Sequence, residues 1–300
     1  MTAAADFAAE DDGPDDTGHL DELVARLGVS TRRRPTRVEL PTSEGRLSAL
    51  DWLEPGEAPE HFFVHGGGLN AHAWDSTIAL LDRPARAIDL PGHGWSEWRE
   101  DEDYRATTLA RAVAEAAPAH RPFVLIGHSL GGLTALMALR RIEPRPRAFV
   151  MVDITPVTIS SGGRPPRGIY EPELSFGSRE EAVDWAVEQG LGRSRETLAI
   201  GIGFNTRRRT DGRYVFRHHL AHLPFAPERF DRDEAEYWPG FDPEVPTILV
   251  QASRGVVGEA QVAAVRGHAP WVRVERIESG HNVHSQAPEA LVELLRGLDG

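Results

Sequence analysis

The feature that most limits how this chain can fold is a junction near its middle. The apolar run Pro122–Ile126 leads without a spacer into Gly127-His128-Ser129-Leu130-Gly131, and from there into a helix-like segment, Leu130–Ile142, that stops before Pro144. A short run with no polar alternation belongs to a strand buried on both faces, and such strands sit in parallel sheets covered by helices on each side. A glycine two residues before the serine and another two after it permit a sharp strand-to-helix turn, because a side chain at either place would crowd it.

The rest of the chain alternates as that junction demands. Strands are predicted over Arg37–Leu40, Leu47–Leu53, His61–Val64, Arg86–Leu90, Ala148–Asp153, Val245–Gln251 and Val272–Ile277, the first two forming a hairpin across Ser43–Gly45. Helices are predicted over Trp74–Leu81, Thr107–Ala117, Gly258–His268 and Pro288–Leu298. This is an α/β pattern with a mainly parallel sheet. Residues 1–18 are rich in Ala, Asp, Glu and Gly and are expected to be a disordered tail, followed by a short helix over His19–Gly28 with a glycine stop.

Between about Thr155 and Pro239 the alternation breaks into a Gly/Pro-rich loop (Ser160–Gly168), two helical candidates (Ser178–Gln189 and Arg193–Phe204) and a turn at Asp211-Gly212. The expected organisation is therefore an N-terminal extension (1–30), a core in two pieces (31–155 and 240–300) and an inserted domain (156–239).

Composition removes several chemistries. There is no cysteine, which excludes thiolate nucleophiles, disulfides and cysteine-based metal sites, and all 33 basic residues are arginine, which excludes lysine Schiff bases. A net charge of −13 argues against non-specific nucleic-acid binding. No basic segment followed by an apolar run reads as a secretory signal, and no run spans a bilayer, so a cytoplasmic setting is expected. The expected partner is a small-molecule substrate, with a homodimer left open; no cofactor, metal, membrane or nucleic acid is called for.

What remains is serine chemistry. Ser129 at the turn is the candidate nucleophile, and the N-terminus of the following helix favours developing negative charge. A base is expected near the C-terminus, after the last strand, where Ser279-Gly280-His281-Asn282 sits; His281 is the candidate. An oxyanion hole needs two converging amides: Leu130, after the nucleophile, and one from His65-Gly66-Gly67-Gly68 after the third strand, with Gly67 preferred and Gly68 the alternative.

These landmarks resemble the α/β-hydrolase fold superfamily. The matching segments are HGGGLNAHAWD (65–75), DLPGHGWS (89–96), GHSLGG (127–132), VDITP (152–156), PTILVQ (246–251) and GHNVHSQAPE (280–289), in the family's order and covering residues 37–298. The resemblance implies an eight-stranded, mostly parallel sheet flanked by helices, with a mainly helical cap inserted after the sixth strand. It also implies that Asp89 and His93 are structural, while Asp75 is expected to cap the helix after the glycine loop.

In one place the chain departs from the family. The position usually holding the triad acid, in the loop after PTILVQ, aligns with Val256. Asp153, at the end of the preceding core strand, is the first substitute; Glu259 is the second; a Ser–His dyad is the third. The expected activity is hydrolysis of an ester or lactone of an apolar, medium-sized substrate. The alternatives are carbon–carbon bond hydrolysis, for which Arg164, Arg167, Arg207 and Arg208 offer carboxylate binding, and a non-catalytic ligand-binding role. Trp95, Trp185 and Trp238 are the candidate substrate-lining residues.

Overall fold

The structure, a computed structural model, describes residues 13–119, 121–160, 168–191, 195–226 and 233–298. Most of the expected tail (1–12), most of the expected Gly/Pro-rich loop (161–167), and with it Arg164 and Arg167, lie outside those residues.

The core strands are β1 (Thr36–Thr42), β2 (Gly45–Trp52), β3 (His61–Val64), β4 (Ala85–Ile88), β5 (Val124–His128) and β6 (Ala148–Val152). After an insertion that carries β7 (Thr206–Arg208) and β8 (Tyr214–Phe216) come β9 (Thr247–Arg254) and β10 (Arg273–Gly280). Eight of these form one sheet in the order β1-β2-β4-β3-β5-β6-β9-β10. The β1–β2 and β2–β4 pairs are antiparallel, and every pair from β4 to β10 is parallel.

The central strands show why they read as unbroken apolar runs. In β5, Leu125 enters one core while Val124 and Ile126 enter the other; in β6, Phe149 and Met151 oppose Ala148, Val150 and Val152 in the same way. Both faces need cover. One face is covered by α3 (Ala106–Ala116), α4 (Leu130–Ala138) and α8 (Glu259–His268), through Leu109, Val113, Leu136 and Val265. The other is covered by α1 (Leu20–Leu27), α2 (Asp75–Leu81), α9 (Val283–Gln286) and α10 (Pro288–Arg296), through Leu20, Ile78, Val283 and Leu291. Gly28 closes α1 in the left-handed conformation, φ 66°, as a helix stop requires.

One sequence expectation is corrected and one is extended. The stretch before α1 is structured from residue 13: Arg37 donates to both carboxylate oxygens of Asp16, at 2.9 and 2.6 Å, pinning this segment to β1. The insertion contains α5 (Pro156–Ser160), α6 (Arg179–Glu188) and α7 (Arg195–Asn205), but also the β7–β8 hairpin, closed by the expected turn at Asp211-Gly212. It has its own small core of Phe176, Ala182, Ala186, Ile202 and Phe216. Among the described residues, no helix is long and apolar enough to cross a membrane.

Because β3, β5, β6, β9 and β10 run parallel, the loops that follow them gather at one edge of the sheet, and the candidate chemistry lies there.

Candidate active site

Ser129 occupies the corner between β5 and α4 with φ 51° and ψ −123°, a strained conformation for a residue with a side chain. The packing around it explains its glycines. A Cβ on Gly127 would lie 2.6 Å from Gly131 O, and one on Gly131 would lie 2.3 Å from His65 O. Neither position admits a side chain, and the turn is held between two backbones.

The loop after β3 is fixed by His65, which is fully buried. Its Nδ1–H donates to Gly66 O at 2.8 Å, and its Nε2 accepts from the Leu90 amide at 3.0 Å. Burial pushes its pKa down to about 4, so it remains a neutral strut. The glycines that follow lie against the elbow. A Cβ on Gly66 would come within 2.7 Å of His128 Nδ1 and 3.2 Å of Ser129 Cβ, and one on Gly67 within 3.6 Å of Leu130 Cδ2. Gly67 thus lies against the Leu130 side chain at the start of α4.

His281 follows β10, and its Nδ1–H donates to Asp153 Oδ2 at 2.7 Å. Asp153 is fully buried at the end of β6, in a left-handed conformation, φ 47°. Its Oδ2 also accepts from the Val256 amide at 2.9 Å, and its Oδ1 from the Ala252 amide at 3.1 Å. Gly255 makes room: a Cβ there would fall 2.0 Å from Asp153 Oδ2. The loop after β9, where the family resemblance leads one to expect an acid, therefore holds the Asp153 carboxylate from β6 with its amides. Glu259 is excluded as a partner of His281. Its side chain is 79% exposed at the start of α8, meeting Gln251 and, at 3.9 Å, Arg276. Ser129 and His281 make no hydrogen bond to each other in this structure; such nucleophile–base bonds often close only when substrate is bound.

The other expected residues are distributed unevenly. Asp89 is structural: fully buried, it accepts from the Ala71 and Trp95 amides at 2.7 and 3.0 Å and from Arg37 at 3.1 Å. Asp75 does not cap the helix after the glycine loop: it is the first residue of α2, whose N-cap is Trp74, and its carboxylate meets His19 and His72, while Asn70 caps the preceding 3-10 turn by accepting from the His72 amide at 2.9 Å. The three tryptophans do not gather. Trp95 is sandwiched between the guanidinium groups of Arg37 and Arg217, at 3.9 and 4.0 Å. Trp185 packs in the insertion's own core on Phe176 and Phe216. Trp238 stacks on His268, 3.9 Å away, at the end of α8 that leads into the start of β10, the edge of the sheet opposite Ser129. Arg207 is stacked on Trp98.

Two histidines beside the site were not singled out from sequence. His128 donates from Nε2 to His281 O at 3.0 Å, joining the elbow to the base's loop; burial keeps it neutral. His218, from the insertion, accepts the Ala221 amide on Nδ1 at 3.2 Å, which places its proton on Nε2. That Nε2 lies 3.6 Å from where a Gly68 Cβ would be, beside Ile169, and has no hydrogen-bond partner among the described residues. Burial holds its pKa far below the usual histidine range, so it is a neutral donor facing the glycine loop. Neither role carries a spacing signal; both depend on folded proximity.

The elbow, the glycine loop, the buried acid and the sheet order define an α/β hydrolase. Residues 62–294 match the alpha/beta hydrolase family, and the chain belongs to it as an enzyme of that family. Esterase Rv0045c of Mycobacterium tuberculosis is 34% identical over 302 residues, spanning 95% of this chain and 97% of its own. The crystal structure of that esterase has a TM-score of 0.78 to this one at 31% identity, covering 95% of this chain and 98% of that one. Protein phosphatase methylesterase 1 of Bos taurus is 29% identical over 184 residues, 55% of this chain and 46% of its own length.

Proposed function

We propose that the protein is a serine esterase that cleaves a carboxylic ester or lactone of an apolar, medium-sized substrate through an acyl-enzyme on Ser129. The observation that carries this is the 2.7 Å bond from His281 to a fully buried Asp153 that is itself held by two backbone amides. That arrangement fixes the His281 tautomer with its lone pair on Nε2, the atom that must take the Ser129 proton.

Ser129 Oγ attacks the carbonyl while His281 takes its proton, and the amides of Gly67 and Leu130 hold the oxyanion. The proton then passes to the leaving oxygen, which departs as an alcohol or, in a lactone, stays tethered as a hydroxyl. Water, deprotonated by His281, releases the acid and restores Ser129. The insertion acts as the cap. Ile169 and Leu130 give the carbonyl's surroundings an apolar surface, and the His218 Nε2–H offers one donor to an acceptor in the acyl group. The esterase and methylesterase names of the two relatives support ester cleavage.

The test is turnover of p-nitrophenyl esters of increasing chain length and of aliphatic lactones, with Ser129→Ala beside the wild type. Turnover that favours a medium chain and disappears in Ser129→Ala is the expected result. Turnover that survives in Ser129→Ala would overturn the mechanism.

A further inference from the structure

We propose that His19, His72 and Asp75 form a binding site for a zinc-class divalent transition-metal ion that ties the N-terminal helix to the turn following the glycine loop. The three residues come from separate elements. His19 immediately precedes α1, His72 lies in the 3-10 turn Ala71–Trp74, and Asp75 begins α2. Asp75 Oδ2 stands 2.7 Å from His19 Nε2 and 2.8 Å from His72 Nδ1, and the three donor atoms all lie within 4.8 Å of one another.

Three further observations point to a ligand. The Asp75 side chain is 5% exposed, yet its Oδ1 has no hydrogen-bond partner among the described residues. A buried carboxylate oxygen without a donor is costly, and an ion would satisfy it. His19 Nδ1 is likewise buried without a partner. Most telling is the outer layer: His72 Nε2 lies 3.0 Å from Asp16 Oδ1, so with Nδ1 on an ion the ring would donate its remaining N–H to a carboxylate. Ligating histidines are oriented in this way in built metal sites.

Two imidazole nitrogens and a carboxylate oxygen suit zinc and its neighbours rather than calcium or magnesium. Donors around such an ion stand about 3.3 Å apart, so Asp75 would have to draw back by roughly half an ångström. The ion would displace the imidazole protons that now point at Asp75. Arg37 NH2 is 3.2 Å from His72 Nε2, on the outer side of the ring, and its charge is met by Asp16 and Asp89. His72 and Asp75 are three residues apart, but His19 lies far from them along the chain, so no complete spaced motif announces the site.

The experiment uses the full chain stripped with a chelator. Zn2+ is titrated in competition with a chromophoric chelator, Co2+ absorption reports the geometry, and a thermal melt is run with and without Zn2+. The wild type should bind one equivalent, show the strong visible band of tetrahedral Co2+, and melt higher with Zn2+. His19→Ala and Asp75→Asn, each confirmed folded by circular dichroism, should weaken binding by at least about tenfold and lose the thermal shift. His281→Ala should bind as the wild type does. No binding by the wild type, or binding that survives both His19→Ala and Asp75→Asn but is lost in His281→Ala, would overturn the proposal.

Discussion

Replacing Asp153 with asparagine tests the site at the point where most depends on one atom. The carboxylate accepts three donors: His281 Nδ1–H at 2.7 Å, the Val256 amide at 2.9 Å and the Ala252 amide at 3.1 Å. Asparagine has one acceptor oxygen and one NH2 in the same space. With its oxygen kept on the Ala252 amide, the NH2 faces both the Val256 amide and His281 Nδ1. His281 then does best by moving its proton to Nε2, where it can no longer take one from Ser129. In the serine-protease template the same change costs about 10⁴ in kcat, or about 5.5 kcal/mol of barrier at ~1.36 kcal/mol per decade. The Val256 amide, left facing a donor, costs a further ~1–3 kcal/mol of folding stability. The assay is kcat and KM on a p-nitrophenyl ester, with urea unfolding of the same samples. The expected result is a collapse of kcat with KM little changed and a modest loss of stability. A kcat within about tenfold of wild type in folded Asp153→Asn would refute a catalytic role for the acid, since even general acid–base assistance alone is usually worth ~10²–10⁴.

Further outcomes follow from the packing and the charges. Gly255→Ala would put a Cβ 2.0 Å from Asp153 Oδ2; a displacement of about 1 Å at a catalytic group can cost ~10² in rate, and unchanged kcat would contradict the contact. Gly267→Ala, near the end of α8 with nothing within 4 Å of the new Cβ, should leave kcat alone and stabilise by up to ~0.5–1 kcal/mol in urea unfolding. His218→Phe should lower kcat/KM by roughly three- to tenfold for esters with an acceptor in the acyl group, the worth of one hydrogen bond, and leave plain alkyl esters unaffected; equal losses on both would remove its recognition role. Stability should peak near neutral pH. Burial lowers the pKa values of His65, His93 and His284 to about 4, 3 and 3, so their contribution is full above the ordinary value of 6.5 and is lost as pH falls. Despite burial, Asp75 and Asp16 raise His72 to about 9, so its contribution is full below 6.5 and fades as pH rises toward 9. Urea midpoints measured from pH 4 to 9 check both limbs, and His72→Gln should flatten the alkaline one.

The sheet was legible in the sequence because its central strands are buried on both faces, which leaves an apolar run that a half-exposed strand would not show. The elbow was legible because steric need forces glycine at 127 and 131. The acid was narrowed but not settled: Asp153 and Glu259 differ in burial and reach, and neither property is written in spacing. The hairpin of β7 and β8 escaped because Thr206–Arg208 and Tyr214–Phe216 are too short to show alternation, although the turn between them was visible. Two of the three tryptophans show why a large aromatic in an insertion is a weak signal for substrate lining. A large aromatic in an insertion is needed first to build that insertion's own core, as Trp185 does, or to stack on a neighbour, as Trp238 does on His268. The tail misled because its acidity, which suggests a solvated segment, is spent in part on Arg37 and His72.

The most direct test of the central claim is covalent labelling of the folded protein with a fluorophosphonate, with the adduct located by peptide mass spectrometry. The account predicts rapid modification at Ser129 alone, much slowed in His281→Ala and Asp153→Asn and absent in Ser129→Ala. An adduct elsewhere, or a folded wild type that does not react, would contradict it.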